Sequence, residues 1–191
     1  MAWVAVVLFA LILILIGIAA YGVSLYNGLV SVKHQVDQAW SNIDVLLRQR
    51  HDELPKLIDS VKGYVAHERE LLQQVTSLRS RAGTSLPDAQ RLAAEDELSR
   101  GVARLLAVAE SYPQLRASEV FVDLQRRIAA LEEQIAHRRE YYNAAVNINN
   151  VRMEQFPDML LAALAGLQRR PLFEATEQEK ADVDVGARLR S

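Results

Sequence analysis

The chain contains no cysteine. That excludes a disulfide framework, a thiolate zinc site, a cysteine nucleophile and a lipid-modified N-terminal cysteine. Proline and glycine are scarce, with 5 and 8 among 191 residues, too few for a loop-rich β architecture. Neither sign of charge is in marked excess, with 22 Lys and Arg against 24 Asp and Glu. The net charge is −2 and the pI about 6.1, so the basic footprint of a nucleic-acid-binding domain is absent. The first 23 residues carry no charge at all, and every one of them except Gly17 and Gly22 is apolar.

That run, Met1 to Val23, spans roughly 33 Å as a helix, about one hydrocarbon core. A cleaved signal peptide has a basic n-region, a shorter apolar stretch and a small-x-small cleavage site. No Lys or Arg precedes this run, so a retained single membrane span is expected. Trp3 and Tyr21 lie near its ends, where amphipathic rings favour the water–lipid boundary. The flank that follows carries Lys33, Arg48 and Arg50, and the positive-inside rule places the rest of the chain in the cytoplasm, with the periplasm as the alternative, since only Lys33 lies close to the run.

Beyond the anchor the apolar pattern is helical. Leu29, Val32, Val36, Ala39, Ile43 and Leu46, then Leu54, Leu57, Val61, Tyr64, Leu71, Val75 and Leu78, recur at alternating steps of three and four, with Glu68 in one slot. This is a coiled-coil-like stripe. Pro55 falls inside it. The phase continues across the proline and no turn residue flanks it, which predicts one helix over 26–82, kinked at Pro55, in preference to a break. Gly83 to Asp88 forms a true interruption, with a C-cap glycine and a capping-box-like Ser85 and Asp88. Further helices are expected over 87–111, 115–155 and 157–170, followed by a polar, disordered tail over 174–191. The expected fold class is all-α: a transmembrane helix over 1–25 continuing into an elongated antiparallel bundle of four-helix type.

Several strings resemble the LemA family. Tyr26-Asn27-Gly28-Leu29-Val30 is followed by Ala39-Trp40-Ser41-Asn42-Ile43-Asp44-Val45, by Leu47-Arg48-Gln49-Arg50, and by Asp52, Pro55, Leu57, Val61-Lys62-Gly63-Tyr64 and His67-Glu68. Later come Ala109-Glu110-Ser111-Tyr112-Pro113-Gln114-Leu115, Phe121, Leu124-Gln125, Arg139, Tyr142-Asn143, Val146 and Phe156-Pro157. The likeness covers about residues 1–173. It departs where the family repeats its Tyr-Asn pair, since the second copy here reads Ile148-Asn149. The resemblance implies a bacterial single-pass membrane protein with a helical-bundle domain at residues 26–173, and it does not imply an enzymatic activity.

Candidate chemistry is thin. Bundle di-iron sites use Glu-x-x-His pairs, but Ser31, Arg48, Tyr64 and Gln134 stand three residues before His34, His51, His67 and His137. There is no Gly-x-Ser-x-Gly and no phosphate-cradling glycine loop. His67 with Glu68 is the best acid–base pair, yet neighbouring helical side chains point about 100° apart and do not converge on one atom. A buried polar network of Glu68 with Arg139 or Tyr142 is the expectation there. Asp44 and Arg48 share a helical face and can pair. Trp40 is expected in the core. The apolar segment Phe156 to Phe173, with Leu161 and Leu164, is read as a helix capping the bundle, packing on a second subunit, or lying on a membrane.

The expected function is a non-enzymatic, cofactor-free scaffold anchored in the bacterial inner membrane and self-associating through its bundle. Its partners are the lipid bilayer, through residues 1–23, and a second copy of itself, with no nucleic acid. The alternatives are an adaptor for another membrane or envelope protein and a membrane-remodelling assembly.

Overall fold

In the computed structural model, residues 2–64, 68–83 and 86–173 are described. The expectations for His67 and for the tail over 174–191 lie outside them. The described chain forms six helices and no strand: α1 (Ala2–Lys62), α2 (Arg69–Ala82), α3 (Asp88–Ala109), α4 (Pro113–Arg116), α5 (Glu119–Arg152) and α6 (Met159–Ala162). The fold is all-α. Two compact units share α1 and α5: residues 2–43 with 140–170, and residues 44–139 with 171–173.

The first unit begins with the apolar run. Among the described residues α1 is the one helix long and apolar enough to cross a membrane, and its most apolar stretch is unburied. Past it, Leu29, Val32, Val36 and Ala39 turn inward. The end of α5 runs antiparallel to α1 here. Trp40 packs on Tyr142 with ring centroids 5.6 Å apart, and Arg152 lies against Gly28, where a Cβ would come within 3.3 Å of the guanidinium.

The chain then turns and comes back beside α1. Ala162, Ala165 and Leu167 cluster with Leu29, flanked by Val30, Met153 and Leu161. The helix expected over 157–170 is therefore corrected to the single turn of α6 and an extended return. Gly166, at φ +71°, takes the left-handed position of a Schellman cap. The Leu167 amide donates to the Ala162 carbonyl at 3.0 Å and the Gly166 amide to that of Ala163 at 3.1 Å. Beyond it, Asn149 donates to the Gln168 carbonyl at 2.8 Å and Asn150 to that of Arg170 at 3.0 Å. These amide groups replace the backbone bonds that a longer helix would have made for itself.

The second unit is built around Leu54, Leu57 and Val61 of α1, Leu71, Val75 and Leu78 of α2, Leu98, Val102 and Leu105 of α3, and Phe121, Leu124 and Ile128 of α5. Gly101 lets α3 approach α2 closely, since a Cβ there would meet Leu78 at 3.2 Å and Val75 at 3.4 Å.

Pro55 does not end α1, and the helix predicted to continue to residue 82 stops at Lys62. Gly63 and Tyr64 turn the chain, and α2 folds back along α1 so that its own apolar face meets that of Leu54 to Val61. Helix propensity allows this, because glycine costs about 1 kcal/mol in a helix interior, while a straight continuation would leave Leu71 to Leu78 exposed. The fold-back also serves the proline. Pro55 has no N–H for the carbonyl four residues earlier, that of His51. The Arg79 Nε of α2 donates to it at 2.9 Å.

The helix expected over 115–155 is divided too. α4 ends at Arg116, and Ser118 begins α5 by accepting the Phe121 amide at 3.4 Å, an N-terminal cap that favours a fresh start over continuation.

Candidate functional site

The inward face of α1 in the second unit contains an unexpected residue. Buried positions run Ile43, Leu47, Arg50, Leu54, Leu57 and Val61. The apolar stripe follows Leu47 where Leu46 was expected, and Arg50 fills the next slot with no exposed surface. Facing it, α3 places Glu95 and Asp96 inside, and α5 places Arg139 inside.

These charges neutralise one another. Arg50 Nη2 donates to a Glu95 carboxylate oxygen, and Arg50 Nη1 donates to Glu132 Oε1 at 2.9 Å and to the Ser99 hydroxyl. The Ser99 hydroxyl donates to Glu132 Oε2 at 2.9 Å. Arg139 Nη1 lies 2.7 Å from Asp96 Oδ1, its Nη2 donates to Ser99 at 3.3 Å, and its guanidinium sits 4.7 Å from the centre of the Phe173 ring. An isolated buried charge is very costly, so three helices each contribute charge and their register is fixed by the pairing.

The network opens on one side into a cleft of about 570 Å³, lined by Asp44, Arg48, His51 and Asp52 of α1, Gly83 and Leu86 after α2, and Arg91 and Glu95 of α3. His51 Nε2 stands 3.3 Å from Glu95 Oε1. Burial acts to raise the Glu95 carboxyl, but the His51 contact and the Arg50 charge outweigh it and hold Glu95 below the usual glutamate range. Burial likewise opposes ionisation of Asp44, and its bonds from Arg91 and Arg48 prevail, so its carboxyl too is held low. Burial pulls the Arg139 guanidinium down, against Asp96. Among the described residues no three His, Asp or Glu side chains are grouped to hold a metal ion. The chemistry this arrangement performs well is mutual neutralisation, because each interior carboxylate already faces a cation.

The residues singled out from the sequence are dispersed. Asp44, Arg48 and Asp52 line the cleft and Arg50 lies behind it. Trp40 and Tyr142 pack together in the first unit, where Tyr26 and Asn27 are exposed and Asn143 is half-buried. Tyr112 leans on the core of the second unit, and Pro113 is the first residue of α4. Phe156 and Leu164 are 78% and 73% exposed, whereas Leu161 and Pro157 are half-buried. Glu68 precedes α2, past the end of the α1 stripe, and the carboxylate on Arg139 is that of Asp96.

Glu95, Asp96, Ser99 and Glu132 were not found by motif reading. The signal was periodicity. Stepping by four, three and four from Ile43 to Leu54 lands on Leu47 and Arg50, and a charged residue in an apolar slot demands a buried counter-ion.

A long, unburied apolar helix joined to a bundle whose interior charges are paired defines a membrane-associated helical protein. Comparison with known proteins gives its kinship. A model of the LemA family matches residues 39–186, and the chain belongs to the LemA family. It is similar to protein LemA of Metamycoplasma hominis, at 28% identity over 162 residues covering 83% of this chain and 73% of that one. It is also similar to magnetosome proteins MamQ 1 and MamQ 2 of Paramagnetospirillum magneticum, each at 22% identity over 175 residues covering 78% of this chain. The match spans 64% of the length of those two relatives.

Proposed function

We propose that this protein is a non-enzymatic scaffold, anchored once in the bacterial inner membrane by α1 with its bundle in the cytoplasm, that self-associates through α5. The observation that carries the reading is a stripe on α5 within the first unit. Tyr141, Ala144, Ile148 and Val151 follow one another at steps of three, four and three, and all are exposed. Tyr141 is 53% and Ile148 47% exposed. The opposite face of the same helix buries Tyr142, Ala145, Val146 and Asn149. A second apolar seam at heptad-like spacing on a helix that already has a buried face is suited to a second helix. The absence of catalysis is supported by the pairing of Glu95, Asp96 and Glu132 with arginines.

Light scattering of the full chain in mild detergent tests this. An oligomer is expected for the native chain and a smaller species for Ile148→Glu, with helicity by circular dichroism unchanged. A monomeric native chain would sink the self-association.

The cleft favours a second reading, an adaptor for a charged segment of another membrane protein. The Arg48 side chain is 78% exposed at its rim, and its surface bond to Asp44, which Arg91 also holds, is one that an incoming acidic group can replace. Capture of a partner that survives Ile148→Glu and is lost in Arg48→Glu would favour the adaptor over the scaffold.

A further inference from the structure

We infer that the turn between α5 and α6, with the outer face that follows it, is a second membrane contact: Phe156, Met159, Leu160 and Leu164 insert into the lipid leaflet beside the span. The inference rests on the reading of α1 as a membrane anchor.

The geometry lies wholly within the first unit. α5 approaches the anchor end of α1, with Tyr142 beside Trp40 and then Arg152 beside Gly28. The chain reverses, and the return leg passes Leu29 at Ala162, Lys33 at Gly166 and Asp37 at Arg170, moving away from the anchor. The reversal, residues 153–161, is therefore the part of this hairpin nearest the apolar run. Gly28 is five residues from Val23, about 7.5 Å along the helix axis, which is the depth of a headgroup layer.

At that level the hairpin exposes apolar side chains. Phe156 is 78%, Met159 51%, Leu160 63% and Leu164 73% exposed, while Ala162, Ala165 and Leu167 hold the turn to α1 from the other side. The segment thus has an inward apolar face, already occupied, and an outward one at the level where the span emerges. A soluble surface rarely leaves so many large apolar groups together. The bilayer that receives Val23 also reaches Phe156, so continuity with the span selects lipid as the occupant.

The charges nearby say which lipid. Arg152 pairs with Asp158, Arg169 with Glu154, and Arg170 with Asp37 at 3.5 Å. Each of these arginines is matched by a carboxylate, and Lys33 is turned to the return leg at Gly166, so the contact is chiefly apolar insertion and not that of a basic interfacial helix.

The lack of native cysteine permits a clean test in the full chain. A single nitroxide is placed in turn on Phe156→Cys, Leu160→Cys and Leu164→Cys, with Leu13→Cys in the span and Gln134→Cys on the exposed face of α5 as references. Each is reconstituted in pure phosphatidylcholine vesicles, and collisions with oxygen and with a water-soluble nickel chelate are compared. The expected oxygen-to-nickel ratio at the three positions is several-fold above that at residue 134 and approaches that at residue 13, and adding anionic lipid leaves it unchanged. Agreement at two positions of native helicity suffices. A ratio equal to that at residue 134 overturns the inference, as does a loss of both collision rates, which would mean a second copy covers the face. Nickel access at residue 13 would instead overturn the anchor reading, and the inference with it.

Discussion

The two halves of α1 share one periodicity and fill it differently. Before Ile43 the inward slots hold Leu29, Val32, Val36 and Ala39, and their partners on α5 and the return leg are mainly apolar or amide groups, with the Arg152–Asp158 pair at the turn itself. After it, the same three-and-four stepping brings Arg50 inside, opposite Glu95 and beside a second buried pair of Arg139 and Asp96. Apolar surfaces slide and exchange partners at modest cost, whereas a buried ion pair tolerates one register. The unit that carries the long apolar run is thus held mainly by contacts that another apolar surface can imitate. The other unit is locked to itself. This division gives one unit surfaces that can take new apolar neighbours and the other a fixed shape.

The strongest way to break the comparison is to remove one member of the locked pair. Arg50→Met leaves Glu95 and Glu132 without their shared cation, and breaking a buried pair from one side costs about 3–5 kcal/mol. Chemical denaturation should show that loss, and amide exchange should place it in α3 and the adjoining part of α5. Replacing both Arg50 and Glu95 by apolar residues of similar volume should recover part of it. A single substitution that costs less than 1 kcal/mol would mean the network does not lock the unit. In the first unit the equivalent lesion is a cavity. Leu29→Ala should cost about 2–4 kcal/mol and release the return leg, read as faster exchange at Leu161 to Leu167 with α3 unaffected.

Acid should separate the units as well. Glu95 and Asp44 are held below their ordinary values in the folded chain. A depressed carboxylate contributes stability that is complete above its unfolded value, and that is lost as the pH falls through the folded one. The second unit should therefore weaken progressively below about pH 4, whereas the core of Leu29, Ala162, Ala165 and Leu167 holds no group that titrates. Equal acid sensitivity of the two in pH-dependent amide exchange would remove the electrostatic contrast. A smaller effect is expected at Arg79. Its replacement by alanine leaves the His51 carbonyl beside Pro55 unpaired, at about 1–3 kcal/mol, and should loosen α2 against α1 without altering the first unit.

Much of this was legible in the residues. The long apolar helix, the all-α class and the helical phase follow from apolar spacing, which a single sequence displays directly. What spacing cannot display is the tertiary partner. Pro55 reads as the weak point of α1, yet Arg79, 24 residues further on, supplies the missing donor and the helix passes through. Gly63 is the real end because α2 has more to gain by folding back. The segment after Pro157 has helical composition and still leaves the helix at Gly166, where Asn149 and Asn150 capture the backbone beyond. The cluster at Arg50 was half visible, as an unfilled stretch between Leu46 and Leu54, and closing it required Glu95 and Glu132 from other helices.

The smallest expected effect is also the most discriminating. The Arg48 side chain is 78% exposed, and its partner Asp44 keeps Arg91 as a second cation. An exposed pair of this kind contributes a few tenths of a kcal/mol, so Arg48→Ala should leave denaturation midpoints almost unmoved and the proposed self-association intact. Because the fold does not need this guanidinium, any loss of partner capture or cellular function in the variant reports on the cleft itself. A silent variant in both respects would leave α5 and the membrane-proximal hairpin as the working surfaces. A functional defect at native stability would shift the weight to the cleft, and make the locked unit a docking body as well as a rigid one.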